Sequence, residues 1–211
     1  QGYGKASYWL GRLHTDGIGQ LEKDTQKAMN YYRKAIEQGY EEAREWMEQL
    51  QKNLVDETIT DIEIPQDKSD EELYKDAKNA LEKAQFKTAY AYFSYLTQRN
   101  HAESFNELGD MYFYGRGMAI NQAKALELYK KAAALDSVYG FFNVGFLFWI
   151  GPEEIQDPEQ ALQYLKKAAQ MGYTYALSFI GDVYRTGPEA LIDYAEGKRY
   201  YQKGVVVNEI N

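Results

Sequence analysis

From Glu71 onward the apolar residues fall at helical intervals rather than alternating ones. Leu73, Ala77, Ala80, Leu81 and Ala84 share one face, and Phe86, Ala89, Tyr90, Phe93 and Leu96 share another, which predicts two consecutive amphipathic helices. Downstream a longer period takes over. Gly109, Gly145 and Gly181 recur every 36 residues, each after an aliphatic residue: Leu108, Val144 and Ile180. The same interval relates Gly115, Gly151 and Gly187, then Ala125, Ala161 and Gly197, then Ala132, Ala168 and Gly204. Columns in register at a fixed period define a structural repeat. Near the start, Leu10-Gly11, Gly17, Ala28 and Ala35 reproduce these columns with one extra residue before the second helix, where a surface loop absorbs an insertion.

Each copy reads as a pair of helices. The first carries a small residue five before the glycine (Ala6, Ser104, Gly140, Ala176) and a ring three after it (His14, Tyr112, Phe148, Tyr184). The second opens on a side chain able to cap free amides: Asp24, Asn121, Asp157 or Asp193. Asp157 is followed by Pro158 at the first helical position and Gln160 at the capping-box position, and Asp193 with Glu196 repeats that spacing. The paired alanines lie seven residues apart, on one stripe, and predict a close approach of helix axes. A mid-helix glycine costs about 1 kcal/mol relative to alanine, so a neighbouring helix is expected to press on the Leu-Gly site.

The succession of Ala, Leu-Gly, Tyr, Gly-x-Gly, Asp and two alanines seven apart closely resembles the Sel-1-like repeat family, relatives of the tetratricopeptide repeats. Gly17-Ile18-Gly19 and Gly115-Arg116-Gly117 match its turn, while Gly151-Pro152 and Gly187-Pro188 put proline in place of the second glycine, and Gly197 and Gly204 replace both alanines of the last copy. The resemblance implies an all-α fold, an α-α superhelix built as a right-handed solenoid of antiparallel helix pairs. Residues 1–53 would hold the first repeat plus a partial repeat or cap helix. Residues 54–70 read as an acidic linker in which Ile59, Ile62 and Ile64 form a short extended piece. Residues 71–211 would hold the tetratricopeptide-like pair and three repeats, about 101–136, 137–172 and 173–207.

Composition narrows the chemistry. With 32 Asp and Glu against 24 Lys and Arg, the net charge of -8 lacks the basic stripe that phosphate binding needs, so no nucleic acid is expected. No cysteine is present, which removes disulfides, thiolate metal sites and a cysteine nucleophile. The longest apolar stretch, Val144 to Ile150, is too short to span a membrane, so no direct insertion is expected. His14 sits in a column otherwise filled by aromatic rings and reads as core, and His101 precedes a helix and reads as exposed. Nothing resembles a nucleophile elbow, a phosphate loop or a zinc motif, so no catalytic residue, cofactor or metal is expected. The chain opens on Gln1 within what already looks like a repeat, which suggests an excised or processed piece.

A solenoid of helix pairs exposes a concave face lined by its first helices, suited to a partner protein or peptide. At about 100° per residue, the positions opposite the core columns are three before, one after and four after the glycine. These are Tyr8, Arg12 and Thr15; Asn106, Asp110 and Phe113; Phe142, Phe146 and Trp149; and Ser178, Asp182 and Arg185. The third set puts three aromatics in a row with charge from Asp110, Asp182 and Arg185 at its rim, the pattern of a binding anchor, with burial all round as the alternative. A non-catalytic interaction scaffold is therefore the leading reading. The alternatives are an envelope-associated enzyme or cell-wall-binding module, or a structural or regulatory segment of a larger polypeptide. The resemblance places an exported bacterial location ahead of a cytoplasmic one and leaves the oligomeric state open.

Overall fold

The computed structural model describes residues 2–17, 24–53 and 62–210. Every regular element among them is helical: α1 (Gly2–Asp16), α2 (Thr25–Glu37), α3 (Glu42–Asn53), α4 (Asp70–Glu82), α5 (Phe86–Gln98), α6 (Ala102–Tyr114), α7 (Gln122–Ala134), α8 (Val138–Ile150), α9 (Pro158–Gln170), α10 (Ala176–Thr186) and α11 (Tyr194–Ile210), with one 3-10 turn at Glu189–Leu191. Packing divides the chain into two compact units, residues 1–92 with 110–121 and residues 93–109 with 122–211. In the first unit α2 packs between α1 and α3. In the second, α7 packs on α8, α8 on α9, α9 on α10 and α10 on α11. The fold is thus an all-α solenoid of helix pairs.

One contact recurs in each of the four pairs that carry the glycine column. A methyl group added at Gly11 would lie 2.6 Å from the Tyr32 ring, at Gly109 2.4 Å from the Tyr129 ring and at Gly181 2.7 Å from the Tyr201 ring. In the third pair Leu165 takes the tyrosine's place, 2.7 Å from the same point on Gly145. The glycine is therefore a socket for a side chain of the second helix, which accounts for a residue that helix propensity disfavours. Ala28, Ala35, Ala125, Ala132, Ala161 and Ala168 are all fully buried beside it.

The loops are held by a second recurring contact. The backbone amide of each cap residue donates to the carbonyl of the ring column: Asp24 to His14, Asn121 to Tyr112, Asp157 to Phe148 and Asp193 to Tyr184, every one at 2.9 Å. The capping side chains then turn inward on the new helix, Asp24 accepting from the Lys27 amide at 2.8 Å and Asp157 from the Gln160 amide at 3.0 Å. This explains why the box expected at Asp157 and Gln160 is not reciprocal. The Asp157 amide is already committed to Phe148, so the Gln160 side chain donates instead to the Asp157 carboxylate, at 2.6 Å. A true reciprocal box forms at Ser69 and Glu72, where α4 begins.

The loop glycines serve two different purposes. Gly17 and Gly115 adopt positive φ (66° and 68°), the left-handed turn that glycine tolerates best. Gly151 and Gly187, which precede proline, are extended instead, as that neighbour requires. Their lack of a side chain still matters, because a Cβ would sit 2.4 Å from the carbonyl of Leu147 or Val183 one turn back.

Second helices end in a shared way. The amide two residues past the cap reaches back to the alanine carbonyl, as in Tyr40 to Ala35 (2.9 Å), Ser137 to Ala132 (3.1 Å) and Tyr173 to Ala168 (3.0 Å), and α4 closes likewise with Gln85 to Ala80 at 2.8 Å. The intervening left-handed position is glycine at Gly39 and Gly172 but Asp136 and Ala84 elsewhere. Of the expected acidic linker, residues 54–61, with Ile59, lie outside the described residues. Residues 62–69 form bends and turns without a strand, and Ile62 and Ile64 are partly buried.

Three substitutions test this geometry by urea or thermal unfolding. Gly109→Ala gains about 1 kcal/mol of helix propensity and loses about 1–3 kcal/mol to overpacking against Tyr129, a net destabilisation. Gly204→Ala meets only Leu177 Cβ at 3.7 Å, an ordinary contact, and is expected to stabilise by about 0.5–1 kcal/mol. Ala84→Gly, at φ 56° in an exposed turn, is expected to stabilise by about 1 kcal/mol.

Candidate partner-binding face

The three columns selected on the first helices divide by depth. The innermost, three before the glycine, is covered by the start of the next unit. Tyr8 meets Tyr40 with ring centroids 5.1 Å apart, Asn106 Nδ2 donates to Ser137 Oγ at 2.7 Å, and Phe142 meets Tyr173 at 4.8 Å. These are three chemical versions of one contact between successive units. Tyr8 and Phe142 are accordingly buried, at 7% and 8% exposure, as is Asn106, while Ser178 in the same column is exposed. The outer columns open to solvent: Arg12, Asp110, Phe146 and Asp182, then Thr15, Phe113 and Trp149, are half-buried and Arg185 is exposed.

Around Phe142 and Phe146 the rings of α8 and α10 merge into a shelf. Phe142 lies 5.9 Å from Phe146, 5.7 Å from Tyr175 and 5.5 Å from Phe179, and Phe146 lies 5.4 Å from Phe179. Phe146, Trp149 and Phe179 are partly exposed and Tyr175 is exposed, so Phe142 forms the floor and the others the surface. At the outer end of α10, Arg185 pairs with Asp182 at 3.2 Å and donates to the Tyr201 hydroxyl at 3.2 Å, and Tyr201 donates to Asp182 at 2.6 Å. Burial first, then this bond to Asp182, pushes the Tyr201 phenol above its ordinary pKa.

In the first unit Arg12 stacks on Trp46, 3.8 Å from the ring centroid, and pairs with Asp16 at 3.0 Å. Interaction with Tyr8 and then Asp16 reinforces its charged form. Phe113 meets Tyr114 edge-on at 4.7 Å, with the Arg116 guanidinium 5.0 Å from the Tyr114 ring centroid. Burial, then the charge of Asp110, raises the Tyr114 pKa.

Neither histidine belongs to such a face. His14 stacks on Tyr31 with centroids 5.6 Å apart. His101, expected to be exposed, is largely covered because its Nδ1 caps α6, 3.0 Å from Ser104 Oγ and 3.3 Å from the Ser104 amide. Among the described residues no group of three His, Asp and Glu side chains is placed to hold a metal ion, and no helix is long and apolar enough to cross a membrane.

The repeat geometry is matched by sequence. The profile of the Sel1 repeat fits residues 4–40, 102–137, 142–173 and 174–205, more than half of the chain. The chain belongs to the Sel1 repeat family. Sel1 repeat proteins are generally helical scaffolds for protein interactions and are typically non-catalytic. Two solved bacterial structures share the fold. A Sel1 repeat protein from Oxalobacter formigenes superposes with a TM-score of 0.58 at 16% identity, over 97% of this chain and 88% of the other. A protective antigen of uropathogenic Escherichia coli that displays an SLR fold gives a TM-score of 0.57 at 17% identity, over 96% of this chain and 46% of the antigen. No functionally curated protein matches.

Tyr173, Tyr175 and Phe179, which lie outside the three first-helix columns, complete the shelf of this Sel1 repeat protein. Tyr173 and Tyr175 precede α10, where helical angles do not apply. Phe179 lies off the selected direction, but long helical side chains lean toward the N-terminus and cover surface beyond their own angle. The division between floor and surface is testable by thermal unfolding. Phe142→Ala is expected to cost about 3–5 kcal/mol, whereas Tyr175→Ala should stay within about 0.5 kcal/mol of the parent.

Proposed function

We propose that this chain is a non-catalytic scaffold that holds a partner protein or peptide on the concave face of its first helices, with the aromatic shelf of α8 and α10 as the anchor. The observation that supports this reading is the run of partly exposed rings at Phe146, Trp149, Tyr175 and Phe179 over the buried Phe142. Interfaces concentrate their energy in such rigid aromatics, because these bury a large area at little cost in rotamer entropy. Asp182 and Arg185 on the same helix set a polar rim, with Asp110, Phe113, Arg12 and Tyr8 as the corresponding positions of earlier repeats. The membership in an interaction-scaffold family points the same way.

Peptides selected from a displayed library on the intact chain provide the probe, with affinities read by calorimetry. Trp149→Ala and Tyr175→Ala should each weaken the selected peptides by about tenfold or more, while Lys203→Ala on α11 leaves them unchanged. Because Tyr175 is exposed, its variant keeps the parent unfolding temperature and separates lost binding from lost folding. Peptides indifferent to both variants would place the binding face elsewhere.

A further inference from the structure

The polar groups beside the aromatic shelf are unevenly satisfied. Phe146, Phe179 and Tyr175 form a run of rings with successive centroid spacings of 5.4 and 5.5 Å, crossed at 79° and 66°. The acceptors next to them are already engaged. Ser178 donates its hydroxyl to the Tyr175 carbonyl at 2.9 Å, and the Asp182 carboxylate accepts from Arg185 at 3.2 Å and from the Tyr201 hydroxyl at 2.6 Å. The Trp149 indole and the Tyr175 hydroxyl, by contrast, have no hydrogen-bond partner among the described residues. An indole N–H can only donate, and a phenol donates readily. The shelf therefore offers apolar surface and donors, with little that can accept.

That imbalance restricts the backbone that can lie on it. An ordinary extended peptide brings an N–H with every residue, and each one covered without an acceptor is costly. A proline-rich segment brings carbonyls without N–H groups, and its polyproline II conformation is formed before it binds. One turn of that helix, three residues and roughly 9 Å, matches the run of rings from Phe146 to Tyr175. Charge adds a second preference at the far end of the shelf. Beyond Trp149 the chain turns through Glu153 and Glu154, and beyond Arg185 through Glu189, all three exposed. The carboxyl-terminal ends of α8 and α10 carry the negative ends of their dipoles toward these loops. Arg185, the cation on this part of α10, is already paired with Asp182.

Resting on the reading of the shelf as a peptide anchor, we propose that its occupant is a proline-rich segment in the polyproline II conformation with lysine or arginine at one end. Its prolines pack on Phe146, Phe179 and Tyr175, and its carbonyls accept from the Trp149 indole and the Tyr175 hydroxyl. The basic end faces Glu153, Glu154 and Glu189. Aromatic surfaces with a few aimed donors recognise such segments because little chain entropy is lost on docking.

Calorimetric titration of the intact chain with three synthetic peptides reads the preference: decaproline flanked by arginines, the same peptide with alternate prolines replaced by alanine, and decaproline flanked by glutamates. The arginine peptide is expected to bind, the alanine peptide about tenfold more weakly and the glutamate peptide about fivefold more weakly. Trp149→Phe and Tyr175→Phe each keep a ring and remove one donor, so each should weaken the arginine peptide about fivefold at an unchanged unfolding temperature. Glu153→Gln combined with Glu154→Gln should narrow the gap between the arginine and glutamate peptides. An arginine peptide that does not bind at up to about 1 mM overturns the inference, as does equal affinity for the proline and alanine peptides or indifference to Trp149→Phe and Tyr175→Phe. Library peptides that depend on Trp149 and Tyr175 but carry no proline, or that gain helicity on binding by circular dichroism, leave the shelf as an anchor and overturn the proline-rich segment as its occupant.

Discussion

The seating of one side chain on a patch of helix without a Cβ is the constraint on which the architecture depends. A tyrosine ring, or Leu165 in the third repeat, lies so close to Gly11, Gly109, Gly145 or Gly181 that no other residue fits without displacement. The contact sets the spacing of the two helices in each pair, and the buried alanines on the same stripe allow that spacing along the helix. It also gives Tyr32, Tyr129 and Tyr201, three of the twenty tyrosines, a packing role. With Leu165 the contact keeps its shape and loses the hydroxyl, which elsewhere reaches the edge of the pair to meet Thr15 or Asp182.

Once the pair is set, the loop and the next unit follow from backbone groups rather than from particular side chains. Four loops of differing sequence close with the same 2.9 Å amide-to-carbonyl bond. Glycine with positive φ and glycine before proline are two solutions to leaving the first helix at that point. The contact between successive units is similarly tolerant: ring on ring for Tyr8 and Phe142, amide on hydroxyl for Asn106. Tolerance at this column explains how a repeat can drift in sequence and still stack.

That same column decides what remains available to a partner. Tyr8, Asn106 and Phe142 are consumed by stacking, while Ser178 and the two outer columns face solvent, so the usable surface is narrower than helical angles alone suggest. In the last two repeats it widens again, because Tyr175 and Phe179 bring additional rings beside Phe146. The charged pair of Asp182 and Arg185 is tied into the Tyr201 hydroxyl, which gives the rim a defined position.

The period of the small residues, by itself, determined the helix pairs, their register and the pressure on each socket glycine, because a glycine recurring inside a helix costs stability that only a close neighbour repays. Cap residues, loop glycines and the absence of catalytic motifs were equally plain, since each depends on local chemistry. Only the tertiary structure decided that Tyr8, Asn106 and Phe142 lie beneath the next unit, that His101 caps a helix, and that Tyr173, Tyr175 and Phe179 join the shelf. These features turn on which neighbour covers a residue and how far a long side chain leans, and neither is encoded in spacing along one helix.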